Sequence, residues 1–253
     1  MFAIPWEGTS LIGTTDLDHT ENLDVAEPYC AQSEFDYILE AANATFTNAR
    51  LAKEDIISSF AGIRPIVHGD TTDPSKESRA HVVWDEHSML TITGGKLTIF
   101  RIMAEDTLKL ASAKFDKPYE PLKQWFKPAQ RNSRPQHISP ETWTYLIARY
   151  GDPIRPFLEN ATETELLPIR PLANTLAEVR YAARTGAVEH LDDLLLRRVR
   201  LGMLLPDGAS ELLGTIKPIV QSELSWDEAR WQDEVDRYRV IYESAYSSQP
   251  TGQ

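Results

Sequence analysis

Thr91-Ile92-Thr93-Gly94-Gly95-Lys96-Leu97-Thr98 is the stretch whose reading decides the fold. Before it, Met89 to Thr93 reads as a strand. After it, Leu97, Phe100, Met103, Ala104, Thr107, Leu108 and Ala111 recur at helical spacing and share one face. The unit is therefore strand, paired glycines, helix. Two glycines at such a junction let the backbone approach a ligand closely. The helix start turns its free N–H groups and positive dipole end toward whatever lies there, which suits an anion or an electron-rich ring edge. Lys96 adds a full positive charge. On this motif alone, a tight strand-to-helix turn carrying a surface lysine is the favoured reading.

Upstream, His81 to Trp84 reads as a second strand, with Asp85-Glu86-His87-Ser88 as the turn into Met89. His68 to Ser78 has loop chemistry. Ile56 to Val67 is apolar and β-rich and ends at Gly62-Ile63-Arg64-Pro65. An arginine at the end of a buried strand is costly unless paired or set against an anion, and its planar fork suits phosphate or carboxylate. Taken alone, Arg64 reads as one half of an internal pair with one of the many acids. With Arg79, Arg64 and Lys96 could form a three-cation phosphate pocket in an otherwise acidic half. Near the N-terminus, Phe2 to Trp6 and Leu11 to Thr15 form a hairpin candidate. Ser33 opens a helix through Phe35, Ile38, Leu39, Ala42 and Phe46.

Downstream, Lys117 to Pro140 carries five prolines and reads as a linker. Beyond it the pattern is helical. Ser139-Pro140-Glu141 starts one helix, and Asn174 to Thr185 stops at Gly186. Val188 to Leu201 has acids first and arginines last, matching the helix dipole. Ser210 to Ser222 is interrupted by Gly214 and Pro218. Ser225-Trp226-Asp227-Glu228 caps a last helix toward Tyr246, and the tail Ser247 to Gln253 reads as disordered. The expected fold class is α+β. Residues 1–116 form a domain with an antiparallel sheet, 117–138 a linker, and 139–253 an all-α domain.

Bulk properties exclude several classes. The 253 residues are 42% hydrophobic and 25% charged, an ordinary globular composition. Net charge is −12. Residues 1–115 carry nine basic and eighteen acidic side chains, so a nucleic-acid surface is not expected. No run approaches the ~20 apolar residues of a membrane helix, and the start lacks a signal-peptide pattern. Cys30, the single cysteine, cannot form an internal disulfide and reads as an idle buried thiol. His68/Asp70 and His190/Asp192 lack further ligands nearby, so no metal site is expected. No Ser or Cys shows a nucleophile elbow.

Taken together, four blocks resemble one family in its own order. They are Ile4-Pro5-Trp6, Ile12-Gly13-Thr14-Thr15-Asp16, Phe60-Ala61-Gly62-Ile63-Arg64-Pro65 and Thr91 to Thr98. The family is the FAD-dependent glycerol-3-phosphate dehydrogenases. Ala177 to Arg184 and His190 to Arg198 are similar to its helical C-terminal domain. The related glycerol-3-phosphate oxidases share much of the pattern. The resemblance implies a D-amino-acid-oxidase-like FAD domain, an antiparallel substrate domain and an appended helical domain. It implies oxidation of glycerol 3-phosphate to dihydroxyacetone phosphate, hydride transfer to FAD, electrons passed to membrane quinone, and a cytoplasmic place at the inner membrane. By the same resemblance Arg64, Arg79 and Lys96 hold the substrate phosphate, and Gly94, Gly95, Lys96, Leu97 and Thr98 line the flavin.

The dinucleotide fingerprint G-x-G-x-x-G occurs nowhere in the chain. Met1 falls where the family is mid-chain, inside the substrate sheet. The expectation is a C-terminal portion without a catalytic base of its own, inactive and without FAD when alone. A homodimer is left open. Two further readings stand beside this one, a non-catalytic helical assembly module and an oxygen-using oxidase portion.

Overall fold

A computed structural model describes residues 1–17, 26–63, 81–115, 117–121 and 132–250. It is mixed, mostly helical with small antiparallel sheets. The chain divides into two compact units. One holds Met1–Leu17, Glu21–Gly62 and Ala129–Gln253, and the other holds Asp18–Thr20 and Ile63–Pro128.

In the first unit, β1 (Phe2–Trp6) and β2 (Thr9–Gly13) pair antiparallel, Phe2 opposite Gly13 and Trp6 opposite Thr9. The turn is two residues, Glu7 and Gly8, both at positive φ, the backbone that matches strand twist. Helix α1 (Gln32–Thr45) starts earlier than its Ser33 signal. Ala31 is the N-cap, and its N–H donates to Glu34 Oε2 at 3.0 Å. The strand expected from Ile56 is irregular chain through Ile63. Its polar groups meet helix ends instead of a neighbouring strand. Ser59 N donates to Tyr246 O at 3.0 Å, Ser58 Oγ to Met203 O at 2.8 Å, and Tyr242 Oη to Ile57 O at 3.2 Å.

Ile138 is buried in the core, and α3 (Pro140–Tyr150) follows at once, Ser139 Oγ accepting from Thr142 N at 3.1 Å. Helices α4 (Ile154–Glu159) and α5 (Leu176–Thr185) complete a small core of Leu146, Ile154, Phe157, Leu166 and Ala177. Tyr150, Phe157 and Tyr181 stack there at centroid distances of 4.5 to 5.4 Å. Glu178 closes the α5 start, accepting from Thr175 N at 2.7 Å. It is buried, accepts from Tyr145 and Tyr150 and pairs with Arg149; burial still pushes its carboxyl up.

The other side of α5 joins a larger core with Leu191, Leu194, Leu195, Leu201, Ile216, Val220, Trp231 and Tyr238. The single helix expected over Val188–Leu201 is broken. Asp193 accepts from Glu189 N and His190 N and so caps a helical run that begins only after His190. A π-helical stretch spans Asp193–Arg198, Arg200 turns left-handed at φ 58°, and α6 is Leu201–Leu204. Three consecutive leucines, 194 to 196, are buried, while Asp193, Arg197 and Arg198 keep a polar side toward solvent.

Asp207, Gly208 and Ala209 are left-handed before α7 (Leu213–Leu224), which carries Pro218 inside it. Tyr238 Oη donates to Gly208 O at 2.7 Å, and a Cβ on Gly202 would lie 2.3 Å from Tyr238 Oη. Asp227, not Ser225, caps α8 (Glu228–Ile241), accepting from Arg230 N at 2.8 Å. Ser225 is the left-handed end of α7. A π-helical turn then runs Tyr242–Tyr246. Ser247, expected in a disordered tail, donates its N–H to Tyr242 O at 2.8 Å.

The second unit contains β3 (His81–Glu86), β4 (Met89–Gly94) and α2 (Phe100–Lys114). The strands pair from His81 opposite Gly94 to Glu86 opposite Met89, so the turn is His87-Ser88 rather than four residues. Among its described residues no side chain is fully buried.

Candidate functional site

The turn Gly94–Thr98 belongs to this second unit. Gly94 and Gly95 stand at φ +73° and +79°, a region strained for side chains. A Cβ on Gly95 would meet Met103 Sδ at 2.5 Å and His81 Cβ at 3.3 Å. The glycine is thus demanded by the unit's own packing of β3 against α2. Lys96 is exposed and precedes a 3₁₀ turn, Leu97–Ile99, in which Ile99 N donates to Lys96 O at 3.0 Å. The N–H groups of Leu97 and Thr98 occupy the first turn, where helix geometry gives them no internal partner. Leu97 is 89% exposed. The turn therefore offers bare glycine backbone, first-turn amides and one ammonium group on an open side.

Sequence reasoning passed over two residues beside this turn. His81, mostly buried and directly opposite Gly94, lies 3.1 Å through Nε2 from Asp106 Oδ2 on α2. Lys109 Nζ donates to the other Asp106 oxygen at 3.2 Å. Lys109 chiefly, and His81, hold the Asp106 carboxyl below its ordinary value. The available signal was register: the helical spacing puts Asp106 one turn beyond Met103, on the side facing the strands.

Of the residues expected to bind phosphate, Arg64 and Arg79 lie outside the described residues, as does His68/Asp70. The structure brings together Gly94, Gly95, Lys96, Leu97 and Thr98, which are contiguous. His190 Nδ1 lies 2.9 Å from Glu234 Oε1, and Asp192 is held by Arg197 and Arg237, so both have partners of their own. Among the described residues no His, Cys, Asp and Glu cluster could hold a metal. Nor is any described helix long and apolar enough to cross a membrane. Burial, then Glu34, pushes the Cys30 thiol up to about 11, so at neutral pH it is protonated and a poor nucleophile.

Comparison with known proteins extends this. Glycerol-3-phosphate dehydrogenase 2 of Mycobacterium tuberculosis (strain H37Rv) is 32% identical over 98% of this chain and 45% of its own length. The aerobic glycerol-3-phosphate dehydrogenase of Staphylococcus aureus (strain NCTC 8325) is 42% identical over 47% of this chain and 21% of its own. The solved glycerol-3-phosphate dehydrogenase of Bacillus halodurans, complexed with FAD, matches with a TM-score of 0.64. It is 22% identical, with 99% of this chain and 52% of that one covered, and so shares the fold. The chain thus spans about half the length of the relatives it matches along nearly all of itself. The family model described as the C-terminal domain of alpha-glycerophosphate oxidase matches residues 92–231, more than half of the chain, and to that family this chain belongs.

Proposed function

We propose that this chain supplies the substrate-side wall and the C-terminal helical part of an FAD-dependent enzyme oxidising sn-glycerol 3-phosphate to dihydroxyacetone phosphate. The observation that carries this is the Gly94-Gly95-Lys96 turn lying inside a chain whose relatives are named for that substrate. The residues present fit one side of a flavin. Gly94 and Gly95 leave backbone bare, and the first-turn amides and Lys96 sit next to it on an exposed surface. They do not grip a dinucleotide, because the chain has no G-x-G-x-x-G. A bound FAD would supply the acceptor for the hydride leaving C2 of the alcohol. This chain's own part is to hold the phosphate through Arg64, Arg79 and Lys96, fixing C2 against the ring. In this reading residues 1–116 are part of an FAD and substrate domain, 117–138 the link and 139–253 the helical domain. Electrons pass on to quinone at the inner membrane, and the isolated chain is inactive.

The test joins this chain to the portion of the Mycobacterium tuberculosis relative that precedes the matched region. Retained FAD and dye-coupled oxidation of glycerol 3-phosphate are then measured. Arg64→Ala, Arg79→Ala and Lys96→Ala should each lower kcat/KM about 10- to 100-fold, the loss of a charge-assisted contact. Full activity in the triple variant sinks the reading. The name of the matched family favours one variation, with oxygen as the acceptor. Hydrogen peroxide formed without dye identifies it.

A further inference from the structure

We propose that His81 and Asp106 are positioning residues that clamp the Gly94–Thr98 turn in the shape it presents to its ligand, a role that rests on the flavin-facing reading of that turn. His81 is the cross-strand partner of Gly94, immediately before the turn, and Asp106 lies on the helix immediately after it. Their 3.1 Å contact bridges the two arms that the glycines join. Met103, one turn earlier on α2, fills the space where a Gly95 side chain would stand, with His81 Cβ as the other wall. Strand, turn and helix therefore close on one another through His81, Met103 and Asp106.

The need for such a clamp follows from the rest of the unit. Gly94 and Gly95 have the widest choice of backbone conformations in the segment, so the turn has the most freedom to lose. Burial does not restrict it, since none of the unit's described side chains is fully buried. Beside the Met103 contact and the Lys114–Asp85 ion pair at 2.6 Å, which ties α2 to β3 farther from the turn, a hydrogen bond to a carboxylate, on a histidine whose side chain is 16% exposed, holds the strand and helix together next to the glycines. Lys109 favours the ionised form of Asp106, which is an acceptor. A neutral imidazole with its proton on Nε2 suffices as donor. Because Nε2 is committed to Asp106, His81 acts through the turn and not on a substrate proton at that nitrogen.

Amide hydrogen exchange on the full chain, without flavin, tests the clamp. In His81→Leu and in Asp106→Leu, exchange over Gly94–Ile99 should accelerate about tenfold or more. The double variant should exchange no faster than the singles, because one contact is lost in all three. His81→Gln keeps an N–H donor and should recover most of the protection. Wild-type rates in the leucine variants, or no recovery with glutamine, overturn the proposal. Equal acceleration across Val82–Lys114 overturns it too, since the pair would then support the unit as a whole. Accelerated exchange in the leucine variants combined with full activity of the triple-variant fusion would sink the flavin reading and leave the clamp standing. Unaltered exchange combined with loss of that activity would do the reverse.

Discussion

The helical unit and the hairpin–helix unit handle apolar side chains in opposite ways. In the first, Leu146, Ile154, Leu191, Leu194, Leu195, Leu201, Ile216 and Val220 are fully enclosed. In the second, Phe100, Ile102, Leu108 and Phe115 are each more than half exposed, and Trp84 and Met89 are exposed on the strands. A two-stranded hairpin with one helix has too little surface to enclose its own apolar residues. The lesson is that stability and candidate chemistry are separated along the chain. The part with a core holds ion pairs in its interior. The part with the glycine turn holds its shape through a few polar and steric contacts.

Substitutions should expose that contrast. The largest effect is expected for Phe157→Ala, which empties the centre of the Tyr150–Phe157–Tyr181 stack and should cost about 3–5 kcal/mol in urea unfolding. Gly95→Ala comes next. Positive φ and the Met103 sulfur should together cost about 1–3 kcal/mol. The loss should be confined to the second unit, with exchange accelerated over Met89–Lys114 and the helical unit's unfolding unchanged. A loss spread over both units would break the comparison. Ser139→Ala removes the cap of α3 and should cost about 1 kcal/mol in the same unfolding measurement. Leu108→Ala should fall within about 0.5 kcal/mol of the parent, because the side chain is already half in water.

Acid sharpens the contrast in another way. Arg180 holds the Glu165 carboxyl below its ordinary value. A carboxyl depressed in the folded state stabilises above its unfolded value, and that contribution disappears as pH falls through the folded one. Stability of the helical unit should therefore fall below about pH 4.5, the ordinary carboxyl value. In Arg180→Gln the slope of stability against pH in that range should be shallower. An unchanged slope would remove this ion pair from the account.

How much of this was legible in the sequence varied with the kind of signal. Caps and breakers near helix starts were readable: Ser139-Pro140 opens α3 and Gly186 ends α5 as expected. The paired strands around His87-Ser88 were readable from alternation, though not their two-residue turn. The family blocks were legible too, and the family match upholds that resemblance. What was not legible depended on distant partners. Ile56–Ile63 has strand composition, yet its hydrogen bonds go to residues about 145 and 185 positions away, which no local pattern encodes. Asp193 stops the upstream end of a helix by capturing two backbone N–H groups, and charge order along Val188–Leu201 gave no hint of it. At the turn, glycine and lysine announced themselves by type. His81 and Asp106 are 25 residues apart and meet only through the register of two elements.

The phenol of Tyr238 has an evolutionary consequence. Its oxygen sits 2.3 Å from where a Gly202 methyl would grow and 2.9 Å from the corresponding point on Gly208, so one atom polices two positions. A lineage drifting to phenylalanine at 238 would ease position 202 toward alanine, since the next nearest atoms there are a leucine methyl at 3.0 Å and a carbonyl at 3.3 Å. Position 208 would stay fixed, because its backbone is left-handed and the Tyr242 ring is 2.9 Å away. Covariation in this fold should therefore link 238 with 202 and leave 208 invariant.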